Sequence, residues 1–170
     1  MSSLWRIREA TEQDLSRILD IYNQGIADRI ATLEEHPKTM EEMYQWFHQR
    51  SPRYAVLVAE LEGEVQGWAS LNPYSHRCAY AGVAEISVYI DRSWRGKGVG
   101  SRLLRALEEK AKENGFHKMI LFTFPFNDLG QGLYRKLGFR EVGVFRNQGK
   151  LDGRFVDVMA MEKCLLEEIE

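Results

Sequence analysis

At 170 residues, with 44% hydrophobic and 28% charged side chains, the chain has the composition of one ordinary globular domain. A formal net charge of −2 lacks the basic excess that tracks a nucleic-acid backbone, and no apolar run approaches the roughly 20 residues that cross a bilayer. Cys78 and Cys164 form no Cys-x-x-Cys pair, no histidines fall at metal spacing, and no apolar signal segment follows Met1, so a cytoplasmic protein with reduced thiols and no metal is expected.

Residues 4–9 read as a strand, closed by Thr11-Glu12-Gln13-Asp14, a capping-box signal for a helix carrying Leu15, Ile18, Leu19, Tyr22 and Ile26. Thr39-Met40-Glu41-Glu42 repeats that signal before Met43, Tyr44 and Phe47. Residues 55–61 and 65–71 form a hairpin around Glu62-Gly63-Glu64, and residues 73–82 are irregular. In residues 84–91, Ala84, Ile86, Val88 and Ile90 share one face, the period-2 signature of a half-buried strand. After a glycine-rich turn, Val99, Leu103, Leu104, Leu107 and Ala111 recur at helical spacing up to Asn114-Gly115. A strand over 119–124 and a helix over 127–137 follow, then strands over 141–146 and 154–161 joined across Leu151-Asp152-Gly153, and an acidic tail from Leu165. Seven strands and four helices in this order predict a mixed α/β fold in a single domain.

The turn Arg95-Gly96-Lys97-Gly98-Val99-Gly100 carries the chemistry. Glycines let the backbone approach a ligand with no Cβ in the way, and the helix start leaves unpaired N–H groups, a combination suited to a phosphate. Arg95 and Lys97 add fixed positive charge, favouring a diphosphate over a single carboxylate. Two other phosphate motifs do not fit. Lys97 is followed by Gly98 where Walker A needs Ser or Thr, and Gly-x-Gly-x-Gly is not the dinucleotide Gly-x-Gly-x-x-Gly.

Arg-x-x-Gly-x-Gly after a strand resembles the acetyl-CoA pyrophosphate loop of the GNAT N-acetyltransferase superfamily. The resemblance runs from Arg8 to about Met161. It implies the GNAT acyl-CoA N-acyltransferase fold, a mixed twisted sheet flanked by helices, with acetyl-CoA as cosubstrate and no metal. It further implies that Gly96, Gly98, Gly100 and Ser101, with Arg95, Lys97 and Val99, hold the pyrophosphate. Main-chain groups of Val88, Tyr89 and Ile90 would pair with pantetheine as an added strand and supply a backbone oxyanion contact. The family's Asn-x-x-Ser is here Asn127-Asp128-Leu129-Gly130, so the asparagine is kept for the pantetheine arm and the serine is replaced.

An ammonium acceptor must lose a proton before it attacks a thioester, since an alkyl ammonium titrates near 10.4. Glu85, on the strand face opposite Ala84, Ile86 and Val88, is the candidate general base, directly or through a water. Ala84-Glu85-x-Ser-Val-Tyr-Ile resembles the phosphinothricin acetyltransferase branch, in which this glutamate is the base. Tyr134 in Leu133-Tyr134-Arg135-Lys136-Leu137-Gly138-Phe139 matches the tyrosine that GNAT enzymes commonly keep to protonate the departing thiolate. The four histidines accompany no Ser or Cys nucleophile motif and are read as ordinary loop or surface residues.

Further stretches resemble the same branch. Ile21-Tyr22-Asn23-Gln24-Gly25-Ile26, followed by Ala31-Thr32, looks like its first helix and following loop; Pro73-Tyr74-Ser75-His76-Arg77-Cys78-Ala79-Tyr80 looks like its acceptor loop. By this resemblance Arg77 would hold an amino-acid carboxylate, beside Tyr80 and Thr32. Residues 149–158 match the branch's ending with a shifted spacing around Lys150, a departure that bears on the acceptor. The expected reaction is acetyl transfer to the α-amine of a small amino-acid-like acceptor: phosphinothricin, methionine sulfoximine or methionine sulfone. A homodimer is expected from the resemblance alone. A protein N-terminus, a lysine or another small amine as acceptor, and a non-catalytic acyl-CoA-binding module, are the alternatives.

Overall fold

The computed structural model describes residues 4–29 and 32–166. In chain order it comprises β1 (Trp5–Glu9), α1 (Leu15–Ala27), α2 (Met40–His48), β2 (Val56–Leu61), β3 (Glu64–Pro73), β4 (Val83–Ile90), α3 (Val99–Glu113), β5 (Lys118–Thr123), α4 (Asp128–Lys136), β6 (Arg140–Leu151) and β7 (Arg154–Cys164), with short 3-10 turns at Glu12–Asp14, Cys78–Tyr80 and Arg92–Trp94. The seven strands form one sheet in the order β1-β2-β3-β4-β5-β7-β6, antiparallel except for β4 and β5.

Local chemistry sets the ends of these elements. Asp14 accepts from the Thr11 amide at 2.8 Å and takes a two-pronged contact from Arg8 at 2.7 and 2.9 Å, tying the start of α1 to β1. The capping box foreseen at Thr39 is formed, with Thr39 Oγ1 and the Glu42 carboxylate each accepting from the other residue's amide at 3.2 Å.

The period-2 and period-3.6 stripes meet as two layers over the sheet. On one face, Val99, Leu103, Leu104, Leu107 and Ala111 of α3 are buried against Leu57, Ala69, Leu71, Ala84 and Ile86. Each such leucine contributes about 1.5–3 kcal/mol of burial. The other face carries α1 and α2, whose Leu15, Ile18, Ile21 and Met43 pack on Val56, Val58, Val65 and Trp68. Glu85, Ser87 and Tyr89 alternate with Ala84, Ile86 and Val88, and so face the α1/α2 side.

Two differences from the sequence reading concern the far edge. The strand expected over 141–146 continues to Leu151, because a bulge absorbs the polar residues: Asn147 takes a left-handed φ of 51° and its amide donates to Asp157 Oδ1 at 2.8 Å. Leu165, read as the start of a tail, donates its amide to the His117 carbonyl at 2.8 Å and extends the anchoring of β7. Ala31, and the tail beyond Leu166, lie outside the described residues. No described helix is long and apolar enough to cross a membrane.

The feature that makes a site is a parting of the sheet. β4 and β5 pair only at Val83↔Lys118, Ala84↔Met119 and Glu85↔Ile120, although β4 runs on to Ile90 and β5 to Thr123. Beyond Glu85, among the described residues, the β5-facing edge of β4 has no strand partner.

Candidate active site

Three adjoining cavities surround this parting. A cleft of about 400 Å³ is lined by Val88, Tyr89, Ile90, the glycine turn, Asn127 and Tyr134. A central cavity of about 220 Å³ holds Glu85, Val88, Tyr89, Tyr134 and, from the loop after α1, Thr32. A third, of about 510 Å³, opens on the α1/α2 side and is lined by Glu85, Ser87, Tyr89, Arg50, Trp68 and Asn72 among others. Val88, Tyr89 and Tyr134 are shared by the first two, and Glu85, Ser87 and Tyr89 by the last two. One path therefore runs from the glycine turn, past Tyr134, to Glu85 and the chamber beyond.

The glycine turn leaves the start of α3 uncapped. Gly98 is the N-cap of α3 at φ 89°, with no side chain capping the helix and no acidic residue in its first turn. The earliest i→i−4 bond comes from Arg102 to the Gly98 carbonyl, so the amides of Val99, Gly100 and Ser101 precede the helical ladder. By contrast α2 and α4 begin under Thr39 and Asn127 caps. Gly96 is also left-handed, at φ 75°. Gly100 has a different reason to be glycine: a Cβ there would stand 2.7 Å from Leu133 Cδ2, so it is where α4 packs on α3.

The cationic residues of the turn are already engaged. Arg95 donates to Asp28 Oδ2 at 2.8 Å and to the Ile90 carbonyl at 3.3 Å, and lines the cleft. Lys97 is exposed with its ammonium 5.3 Å from the centre of the Trp94 ring. The Val99 side chain is buried in the core, so only its backbone is available to a ligand. Asp91, at the end of β4, accepts from Arg17 at 2.7 Å, Gln24 at 3.0 Å and the Ser93 amide at 2.9 Å. Burial alone would raise its pKa, yet these donors hold it down to about 2, which fixes α1 against the turn.

Glu85 accepts no hydrogen bond among the described residues, and burial pushes its carboxyl above the ordinary range. Such a group is a stronger base than an exposed carboxylate. Tyr134 faces the same cavity, its ring edge-on to Phe139 at 5.9 Å, and burial pushes its phenol up to about 12, so it keeps its proton across the physiological range. Asn127 lines the cleft but spends its side chain locally, accepting from the Gly130 amide at 3.1 Å and donating to Thr123 Oγ1 at 3.2 Å. A Cβ on Gly130 would lie 2.5 Å from Asn127 Nδ2, so the missing serine and the inward fold of this asparagine are one feature.

Of the residues singled out by sequence, Arg77 and Tyr80 do not join this cluster. After β3 ends at Pro73 the chain runs over the end of the sheet, and both residues are exposed there, with Tyr80 packed edge-on to Tyr74 at 6.0 Å. Neither lines any of the three cavities. Conversely, Arg50, Trp68, Asn72 and Ser87 line the third cavity without having been foreseen. For Trp68 and Asn72 the one signal was the alternation Trp68, Ser70, Asn72 in β3, which is informative only once Asn72 is known to pair with Glu85. Among the described residues no group of three or more His, Cys, Asp or Glu side chains could hold a metal ion.

Comparison with known proteins agrees with this geometry. Residues 15–139 match the model of the acetyltransferase (GNAT) family. The chain is 37% identical over 158 residues to the L-methionine sulfoximine/L-methionine sulfone acetyltransferase of Pseudomonas aeruginosa, covering 92% of each. It superposes with a TM-score of 0.89 on the GNAT superfamily phosphinothricin acetyltransferase of Sinorhizobium meliloti in complex with acetyl-CoA, at 32% identity and covering 95% of this chain and 88% of that one. The ribosomal-protein-alanine N-acetyltransferase of Brucella melitensis gives a TM-score of 0.90 at 36% identity, covering 94% and 99%. With an uncapped glycine turn, a parted sheet and these relatives over nearly its whole length, the chain belongs to the GNAT acetyltransferase family.

Proposed function

We propose that the protein transfers the acetyl group of acetyl-CoA directly to the α-amine of a small amino-acid-like acceptor, with phosphinothricin, methionine sulfoximine and methionine sulfone as the first candidates. The observation that carries this reading is the position of Glu85, on the boundary between the central cavity and the chamber beyond it. From there it can take the proton of an ammonium arriving from the α1/α2 side while the thioester approaches from the other.

The open amides before α3 and the Arg95 guanidinium bind the pyrophosphate. The bare edge of β4 at Val88, Tyr89 and Ile90 receives the amides of the pantetheine arm, and an N–H of the same edge polarises the thioester carbonyl. Glu85 removes the ammonium proton, and the free amine attacks the thioester carbonyl; as the C–S bond breaks, the nitrogen sheds its second proton to solvent and coenzyme A leaves as its thiolate. Tyr134 donates a hydrogen bond to the departing sulfur. With a phenol near 12 and a free thiol near 8.5, stabilising the thiolate is its task rather than complete proton transfer.

The test is an acceptor panel read by thiol release from acetyl-CoA: phosphinothricin, methionine sulfoximine, methionine sulfone, polyamines and peptides. Turnover confined to peptides would replace the amino-acid reading by transfer to a protein N-terminus, the alternative favoured by the likeness to the Brucella enzyme. Coenzyme binding with no turnover of any acceptor would leave a binding module. A cytoplasmic location and a homodimer accompany the reading, the latter to be checked by sedimentation.

A further inference from the structure

Arg50 stands out among the partly buried arginines. Arg8 is paired with Asp14 and Glu60, Arg17 with Asp20 and Asp91, and Arg95 with Asp28. Arg53 serves the carbonyls that end α3. Arg50 has no carboxylate partner among the described residues: Nε donates to the Tyr54 carbonyl at 3.1 Å, and Nη2 donates to the Leu71 carbonyl and to Asn72 Oδ1, the latter at 3.1 Å. Its planar group lies 4.4 Å from the centre of the Trp46 ring. Among the described residues Nη1 has no acceptor. Burial without an anion lowers this guanidinium to about 10.

One donor in the same chamber is buried without a partner. Trp68 is 2% exposed, lines the cavity, and its indole Nε1 is a buried donor without an acceptor. A buried donor left unpaired is destabilising and calls for an acceptor from outside the chain. Of the chamber's other charged groups, Lys38 lies 3.5 Å from Glu34 and 3.8 Å from Glu42, which compensate it. Arg50 is left as the charge without a carboxylate partner, and Trp68 as the buried donor without an acceptor.

Their distance from the reacting centre defines what they could read. Asn72 is directly opposite Glu85 in the β3/β4 register, an arrangement that sets Cβ atoms about 5 Å apart on one face. Arg50 holds the Asn72 side chain. The guanidinium is therefore reached from the base by way of Asn72, across a chamber that an acceptor's side chain would span. Tyr22, Trp46 and Tyr89 give the intervening space aromatic walls suited to methylene groups.

We propose that Arg50, aided by the indole N–H of Trp68, binds a strongly polarised or anionic oxygen group at the far end of the acceptor's side chain, and so selects acceptors with oxidised side chains. The proposal rests on the amino-acid acceptor argued above. It is tested by comparing wild type with Arg50→Gln, Arg50→Lys and Trp68→Phe on three acceptors: methionine sulfone, methionine, and methionine sulfone methyl ester. Arg50→Gln should lower kcat/KM for the sulfone and its ester about 10- to 100-fold, mainly through KM, with little change for methionine. Arg50→Lys should fall between, and Trp68→Phe should shift the sulfone in the same direction by less.

Because Arg50 also ties the end of α2 to β3, acetyl-CoA affinity by calorimetry serves as the check of folding; the coenzyme cleft contains neither Arg50 nor Trp68. If Arg50→Gln does not fold, Arg50→Lys and Trp68→Phe decide. Equal losses on methionine and its sulfone would overturn the assignment while leaving the acetyltransferase reading intact. A penalty that vanishes with the ester would also overturn it, by showing that Arg50 reads the α-carboxylate. Failure of the wild type to acetylate any of the three would overturn the acceptor reading and this proposal together.

Discussion

Glu85→Gln separates chemistry from binding in a single substitution. The amide keeps the shape of the carboxylate and removes its capacity to take a proton. A positioned general base contributes about 10²–10⁴ in rate, or about 3–5 kcal/mol of barrier, and that is the loss expected in kcat/KM at neutral pH. Acetyl-CoA affinity should not change on the proposed reading, because Glu85 lines the central cavity and the chamber on the α1/α2 side but not the cleft at the glycine turn. Stability should move the other way. Burial raises the folded-state pKa of this carboxyl above its ordinary 4.5, so the folded chain holds the proton more tightly than the unfolded one. The stability this confers is fully present below the unfolded value and is lost as pH rises through the folded one. Glutamine stays neutral throughout, and the variant should melt higher than wild type at pH 7. Thiol-release kinetics, calorimetric titration with acetyl-CoA and thermal melts at pH 7 read the three quantities. Unchanged turnover would remove Glu85 from the mechanism; lost turnover with lost coenzyme binding or a lower melting temperature would show a structural role instead.

Tyr134→Phe should lower kcat about tenfold, the worth of one hydrogen bond to developing charge, with acetyl-CoA affinity retained; a phenol near 12 also means that Tyr134 sets no alkaline limb below that pH, which a rate profile to pH 10 checks. Gly98→Ala meets no steric obstacle but must hold φ at 89°, so it should destabilise the fold by about 1–2 kcal/mol in urea and weaken acetyl-CoA binding in calorimetry. Asp91→Asn should cost about 2–3 kcal/mol at pH 7, from a carboxyl held near 2 against an ordinary 3.8. This depressed group stabilises the fold above its unfolded pKa and ceases to as pH falls through the folded one, so the gap between variant and wild type should narrow between pH 4 and pH 2; a gap independent of pH would refute the assignment.

The sequence was most legible where periodicity or a cap dictates one conformation. The leucine stripe of α3, the Thr39 box and the alternation of β4 all became the elements expected, since each pattern has a single way to bury its apolar face. The glycine turn with its open amides was legible for the same reason, since a turn between a strand and a helix is local and follows from backbone geometry. The chamber on the α1/α2 side was not. Arg50, Trp68 and Asn72 converge only through the register of β3 on β4 and the docking of α2, contacts that no window of the chain contains. Val99 shows the converse limit, since a residue of a glycine-rich turn can commit its side chain wholly to the core. The interrupted polar stretch near Asn147 concealed the length of β6, because a bulge lets a strand survive residues that alternation would reject.

The parting of β4 from β5 has a consequence for the acyl donor. An unzipped seam of peptide groups is best satisfied by a guest that carries amides at peptide-like intervals, so on the pairing proposed above the sheet would act as a template for the donor to complete. Acetyl phosphate or a short acetyl thioester, however reactive, would then leave that seam open to water and go unpositioned. Those amide hydrogens of residues 86–90 that point away from β3 should accordingly exchange rapidly in the free protein and slow together once the missing rung is filled, while their alternates, paired to β3, stay protected throughout.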